Sequence, residues 1–340
     1  MSTAFYRCAA VVGLLLPLTF LATSGAHSQE TFAGKNISAI IGFGAGGGYD
    51  TWGRIVARHI GKYLPGKPSV IPQNMPGAGS YVAASHIYGV APKDGTVFGI
   101  IARDAALGPL SGAPGARFDA TKLSWIGTPT KEHNVCIAYH TVAVKSVADL
   151  REKQLILGDT GPGTGTRSYP KVLNALLGFK FKLVGGFQSS ADVFLAMERG
   201  EVDGICESLD SVTNRRPDWI SSKKVTVLLQ AGATPHPDLK DVPLVFDLAR
   251  NADERAVLEF LYAGQEIGRP FVAPPDMPAD RLKLLRDAFN ATMKDSDFIA
   301  DAKRSKLELE PDDGEHLAML IKKIYATPKP IIDKVTDLIK

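Results

Sequence analysis

The chain is poor in cysteine, in histidine clusters and in net charge. Its three cysteines are Cys8, Cys136 and Cys206, and no C-x-x-C occurs. The seven histidines form neither H-x-x-x-H nor H-E-x-x-H. These gaps leave metal ligation without support. A net charge of +3 is too small to argue for nucleic acid or a membrane surface as partner. Beyond the first two dozen residues, no apolar run approaches the roughly 20 residues of a membrane span. There is no internal repeat of 20–50 residues, no low-complexity run and no G-x-S-x-G nucleophile elbow. No Pro/Gly/Ser-rich linker marks a domain boundary.

One apolar run is present at the start. Arg7 precedes a mostly apolar stretch over 9–22, and Ser24-Gly25-Ala26 follows with small residues. Positive, apolar and small in that order predicts a cleaved signal peptide over 1–26 and a mature chain from His27. The stretch is short for a span, and Pro17 interrupts it. Cys8 precedes the apolar run, so it is not placed as a lipid-anchored cysteine. Loss of Arg7 leaves a charge of +2. In an oxidising compartment the remaining Cys136 and Cys206 either pair or stay buried, and the sequence leaves both open. With 45% hydrophobic and 22% charged residues, the chain reads as globular and is long enough for two lobes.

Two glycine-rich loops carry the most information. Gly44-Ala45-Gly46-Gly47-Gly48-Tyr49-Asp50 follows the apolar run 37–43, and 158–166 follows 155–157. Each loop leads into a segment of helical periodicity. A strand, a glycine loop and a helix start place free N–H groups at the positive end of a helix dipole, which suits an anion. Strand patterns at 37–43, 69–72, 96–101, 125–128, 135–139, 155–158, 182–184, 204–206 and 225–230 alternate with helical ones. The long helical stretches are 49–64, 278–293 and 315–340. This alternation predicts an α/β fold with mostly parallel sheets.

Several motifs have blander readings. Residues 42–47 match G-x-G-x-x-G, but the next strand pattern, near 70–73, offers no acid for a ribose hydroxyl, so no nucleotide cofactor is expected. Ser168-Tyr169-Pro170-Lys171 matches S-x-x-K, an acyl-transfer nucleophile motif. Neither K-T-G nor S-D-N accompanies it, and 221–224 matches equally well. Asp312-Asp313 reads as a helix cap. Thr164, Thr166 and Ser168 either cap the second helix or offer hydroxyls to a ligand. Arg103 either pairs with a ligand carboxylate or makes a surface ion pair with Asp104, and Arg167 carries the same alternatives.

The run Gln73-Asn74-Met75-Pro76-Gly77-Ala78-Gly79-Ser80, followed by Val90-Ala91-Pro92-Lys93-Asp94-Gly95-Thr96, closely resembles the substrate-binding proteins of tripartite tricarboxylate transporters, the Bug-type receptors. Matching stretches at 44–50, 158–166, 196–204, 237–243 and 274–278 cover nearly all of the chain after the leader. The resemblance implies a two-lobed, type II-like periplasmic flytrap, each lobe a mostly parallel sheet flanked by helices. It places lobe one at 27–131 and 232–340 and lobe two at 132–231, with hinges near 128–134 and 230–234. Cys136 and Cys206 then share a lobe. It further implies a small carboxylate ligand, no cofactor, no catalysis, a monomer, and the membrane subunits of such a transporter as partner. A periplasmic sensor presenting the ligand to a signalling kinase, or an acyl-transfer enzyme, are the competing functions. Carried onto this chain, the ligand loops are Ala45, Gly46, Gly47, Gly48, Tyr49, Asp50 and Thr51, with Asp159, Thr160, Gly161, Gly163, Thr164, Gly165 and Thr166. Asn74, Arg103 and Phe187 complete the expected site. Where the family usually has Gly-Tyr, this chain has Gly186-Phe187, which lacks the hydroxyl.

Overall fold

A computed structural model describes residues 1–4, 32–232 and 234–340. The chain divides into two compact units, 1–31 and 32–340. In the first unit, residues 1–4 are described and carry neither helix nor strand. Residues 5–26 of the expected leader and its cleavage position lie outside the described residues, and so does Ala233 in the second expected hinge.

The second unit holds two sheets. Strands β1 (Asn36–Ile41), β2 (Ser69–Asn74), β3 (Val97–Ile100) and β4 (Ser124–Thr128) open the chain. Strands β5 (Asn134–Tyr139), β6 (Leu155–Gly158), β7 (Phe181–Val184), β8 (Gly204–Ser208) and β9 (Val225–Ala231) follow. Strands β10 (Phe271–Ala273) and β11 (Asp312–Asp313) return late. The six-stranded sheet has the order β11-β4-β10-β3-β1-β2, and the five-stranded sheet β7-β6-β8-β5-β9. The fold is therefore α/β and two-lobed.

Both sheets are mixed rather than mostly parallel. β1 runs parallel to β2 and β3, but β10 is antiparallel to β3 and β4. β6 runs parallel to β7 and β8, but β5 is antiparallel to β8 and β9. β5 is reached directly from β4 of the other sheet, with no helix crossover to impose parallel entry.

Helix Gly48–Ile60 forms because Trp52, Ile55, Val56 and Ile60 share one face at helical spacing, and all four are buried. It runs on through a 3-10 turn, Gly61–Tyr63, and stops at Pro65-Gly66, where Gly66 has φ +84°. The counterpart after β6 is helix Gly165–Leu177, burying Tyr169, Val172, Leu173 and Leu176. The stretch expected to be helical over 315–340 is two helices, Gly314–Tyr325 and Lys329–Ile339, broken at Thr327-Pro328. Asp313 caps the first of these by accepting from Glu315 and His316 N–H.

The segment 128–134 passes from β4 in one sheet to β5 in the other. After β9 the chain follows the edge of the five-stranded sheet, where Gln230 Nε2 donates to the Leu239 and Val242 carbonyls at 2.7 and 2.8 Å. Near residue 339 it touches the Gly165 helix again, as Lys171 Nζ donates to the Ile339 and Lys340 carbonyls. Cys136 and Cys206 sit directly opposite each other on β5 and β8 and are disulfide-bonded.

Candidate functional site

The Gly48 helix points its start into the seam between the sheets. An internal network shapes the loop before it. Asp50 Oδ2 accepts from Gly46 N–H at 2.8 Å, and its Oδ1 accepts from Arg54 and Asn74. Asn74 also donates to the Phe43 carbonyl at 2.8 Å. Burial raises the Asp50 pKa, but these hydrogen bonds outweigh it and hold the carboxyl below its ordinary value. Asp50 and Asn74 thus frame the loop and do not line the cavity. Thr51 hydrogen-bonds to the Gly47 carbonyl, and Ala45 is exposed. What faces inward is Gly47, Gly48 and Tyr49. The Gly48 and Tyr49 amides have no acceptor among the described residues, as expected of the first helical positions.

Arg103 and Arg269 complete this side. Tyr49 stacks on Phe43 at 4.5 Å, and the Arg269 guanidinium lies 4.2 Å from the Tyr49 ring centre. The Tyr49 hydroxyl accepts from Arg103 N–H at 3.0 Å. Arg269 Nε donates to Glu132 Oε1, and Arg103 Nη1 stands 3.7 Å from Glu132 Oε2. Arg103 is thus buried at 3% exposure, not a surface residue. Arg103 Nε and Arg269 Nη1 are buried without hydrogen-bond partners.

The second loop behaves differently. Gly161 N–H is taken by Asp159 Oδ1 at 2.9 Å, and Thr160 N–H by Thr166 Oγ1 at 3.0 Å. The hydroxyls of Thr160, Thr164 and Thr166 bond one another. Arg167 pairs with Asp159 through two nitrogens. The N–H of Gly165, at the helix start, donates at 3.1 Å to Asp104 from the other sheet's side. The other oxygen of Asp104 accepts from the Tyr169 hydroxyl at 2.7 Å. Burial pushes the Asp104 pKa up.

Between these groups lies a cavity of about 20 Å³, room for a single water. Thr160, Thr164, Gly165 and Thr166 line it, as do Asn134, Ser189, Ser190 and Glu207. Asp159, Gly161 and Phe187 line a neighbouring cleft of about 220 Å³ instead, opposite Gly77–Ser80, and Thr160 borders both. Gly163 packs against Gly79 and Tyr81, where a Cβ would come within 2.5 Å of the Gly79 carbonyl oxygen. Gly79 has φ +65° and faces Gly163. Ala78, Gly79 and Tyr81 are therefore a contact between the two glycine loops' lobes.

Sequence reasoning missed Glu132, Asn134, Glu207 and Arg269. Arg269 precedes β10, a three-residue strand between Gly268 and Pro274 too short to show periodicity. Asn134 and Glu207 had a visible signal, since each is a polar residue at one end of an apolar strand. Antiparallel pairing of β5 with β8 brings those ends together. Ser168 and Lys171 do not meet: the serine hydroxyl donates to the Thr164 carbonyl, the lysine to residues 339 and 340. Among the described residues, no group of three His, Cys, Asp or Glu side chains is placed to hold a metal ion.

The solved structure of the periplasmic binding protein BugD superposes with a TM-score of 0.72 at 19% identity, covering 88% of this chain and 97% of that one. MatC from Rhodopseudomonas palustris, with bound malate, superposes with a TM-score of 0.70 at 19% identity, covering 90% and 99%. This chain has the Bug-type periplasmic-binding-protein fold. In sequence it is 25% identical, over 84% of its length and 78% of the relative's, to the UPF0065 protein in the TAR-I ttuE-ttuC' intergenic region of Agrobacterium vitis. No family model matches the chain. No helix among the described residues is long and apolar enough to cross a membrane. In this Bug-type fold, the seam between the sheets is where the orphaned polar groups gather.

Proposed function

We propose that this protein is a Bug-type periplasmic receptor that closes on a small carboxylate and delivers it to the membrane subunits of a tripartite tricarboxylate-type transporter. One observation carries the reading: the free amides of Gly48 and Tyr49 and the unpartnered nitrogens of Arg103 and Arg269 converge on one buried cavity. The cavity as it stands has room for one water, so the lobes part to admit the ligand, and a carboxylate there receives oriented N–H dipoles and charge-assisted bonds that offset its desolvation. No bond is made or broken. Neither side alone completes the site, so ligand favours the closed arrangement by its differential affinity. The malate bound to MatC supports the ligand class. The lobes are 27–131 with 232–340, and 132–231. The passage of 128–134 between sheets supports the first boundary. The protein acts as an exported monomer after loss of 1–26, without cofactor or metal.

Thermal shift followed by calorimetry against a panel of mono-, di- and tricarboxylates tests this. At least one small carboxylate should raise Tm and bind with one-to-one stoichiometry. A panel in which none does, while neutral sugars or amines do, overturns the reading.

A further inference from the structure

Helix Leu209–Arg215 follows β8 and turns polar side chains across the seam. Ser211 Oγ accepts from Arg269 Nη2 at 2.9 Å. Asn214 Nδ2 donates to the Ser305 carbonyl, and Arg215 Nε donates to the Gly46 carbonyl. Nearby, Gly44 N–H donates to the Gln188 carbonyl at 3.0 Å. The loop 44–47 is therefore held at two backbone atoms from the side of the five-stranded sheet. Arg215 does not line the cavity. Among the described residues it makes no ion pair.

The two glycine loops differ in what holds them. Arg167 anchors the second loop from within, through Asp159. The first loop has its own anchor on one side of Gly46 only. Asp50 takes the Gly46 N–H, but Arg215 takes the Gly46 carbonyl. That carbonyl shares a planar trans peptide with the Gly47 N–H, so fixing one fixes the other in the opposite direction. Gly47 lines the cavity and precedes the open amides of Gly48 and Tyr49. Neither Gly46 nor Gly47 has a Cβ to hinder rotation of the peptide between them, and Gly46 sits at φ +94°. A Cβ at Gly46 would come within 2.8 Å of Arg215 Nη2, so the approach of the guanidinium also depends on glycine there.

Resting on the carboxylate-receptor reading, we propose that Arg215 is a positioning residue: when the lobes close it grips the Gly46 carbonyl, fixes the Gly46–Gly47 peptide and so aims the loop's amides at the ligand carboxylate. It acts through the loop and touches no ligand atom. The grip exists only in the closed arrangement, so it slows release rather than speeding capture.

The test uses whichever of malate, succinate, glutarate and citrate binds the parent most tightly. In Arg215→Ala, stopped-flow should show release about tenfold faster, with association within about twofold of the parent. At saturating acid, hydrogen exchange over residues 44–49 should be about fivefold faster than in the saturated parent. The ligand-free Tm should stay within about 2 °C of the parent. Arg215→Lys keeps the charge and a donor, and should bring release back to within about threefold. Arg215→Gln carries the same readouts where alanine does not fold. Parental release in the alanine or glutamine variant overturns the proposal. So does faster release with parental exchange over 44–49, since the guanidinium would then act as a distant charge. A ligand-free Tm that falls in both variants also overturns it, because the grip would belong to the fold and not to closure. Each of these leaves the receptor reading standing. If no small carboxylate binds the parent, both readings fall together.

Discussion

The two helix starts look alike in sequence and differ in the fold. Each follows a strand and a glycine-rich loop, and each aims its first amides at the same seam. At the Gly48 helix the amides of Gly48 and Tyr49 are open to the cavity. At the Gly165 helix the first amide is occupied by Asp104, and the loop before it spends its N–H groups on Asp159 and Thr166. A strand–glycine–helix unit makes an anion site possible. Whether the site is vacant depends on an acceptor elsewhere in the chain, here one brought in by β3.

The largest effect that would break this contrast comes from the pair supporting the open start. Arg269→Met leaves Glu132 buried without its guanidinium and should cost about 3–5 kcal/mol, measured by urea unfolding. A loss under about 1 kcal/mol would mean the ion pair does not hold that side together. Next is Gly48→Val. A Cβ at Gly48 would collide with Ser211 Oγ and the Arg269 guanidinium. Ligand affinity should fall about a hundredfold, or about 2.7 kcal/mol by calorimetry. Gly163→Val should act otherwise, pressing on Gly79 and Tyr81 and holding the lobes apart, visible as a larger radius of gyration with ligand by X-ray scattering. Parental compaction in that variant would remove the Gly79–Gly163 contact from the account of closure.

Asp104→Ala sharpens the contrast by emptying the filled start. The Gly165 amide and Tyr169 hydroxyl become free, and dicarboxylates should gain about tenfold in affinity, or about 1.4 kcal/mol. No gain would show that Asp104 is not standing in for a ligand group. The smallest effect is in pH. Asp50, held low by its hydrogen bonds, contributes stability above the ordinary carboxylate range near pH 4 and loses it as pH falls through its folded value. Asp104 has the opposite sign. Its folded pKa is raised by burial, so its contribution grows as pH falls from neutral toward about 4. Melting curves of Asp50→Asn should lie about 1 kcal/mol below the parent at pH 7 and converge on it below pH 4. Those of Asp104→Asn should lose the gain on mild acidification. A shared sign in the two variants would contradict the assigned environments.

Much of the fold was legible because it rests on local pattern. Strand β6 falls where periodicity puts it, and the Gly48 helix starts within a residue of its expected position. Strand β10 was not legible, because three residues carry no period. The sense of the sheets was not legible either, since antiparallel entry of β5 follows from its direct passage from β4 of the other sheet. In the cavity, Gly47, Gly48, Tyr49 and Arg103 were marked by backbone chemistry and by a charged residue after a strand. Glu132 and Arg269 were not. They act as a pair 137 residues apart, and no local signal encodes a partner at that distance.

The disulfide between Cys136 and Cys206 joins strands that already pair, so it adds little to their contact. Its leverage lies in the 70 residues of chain between its ends, a loop whose closure in the unfolded chain is worth about 4 kcal/mol in the chain-entropy model. Asn134 is two residues from one sulfur, and Glu207 is next to the other. A preparation made in a reducing cytoplasm would therefore differ from an oxidised one first in how sharply it discriminates among ligands, before any difference shows in its secondary structure.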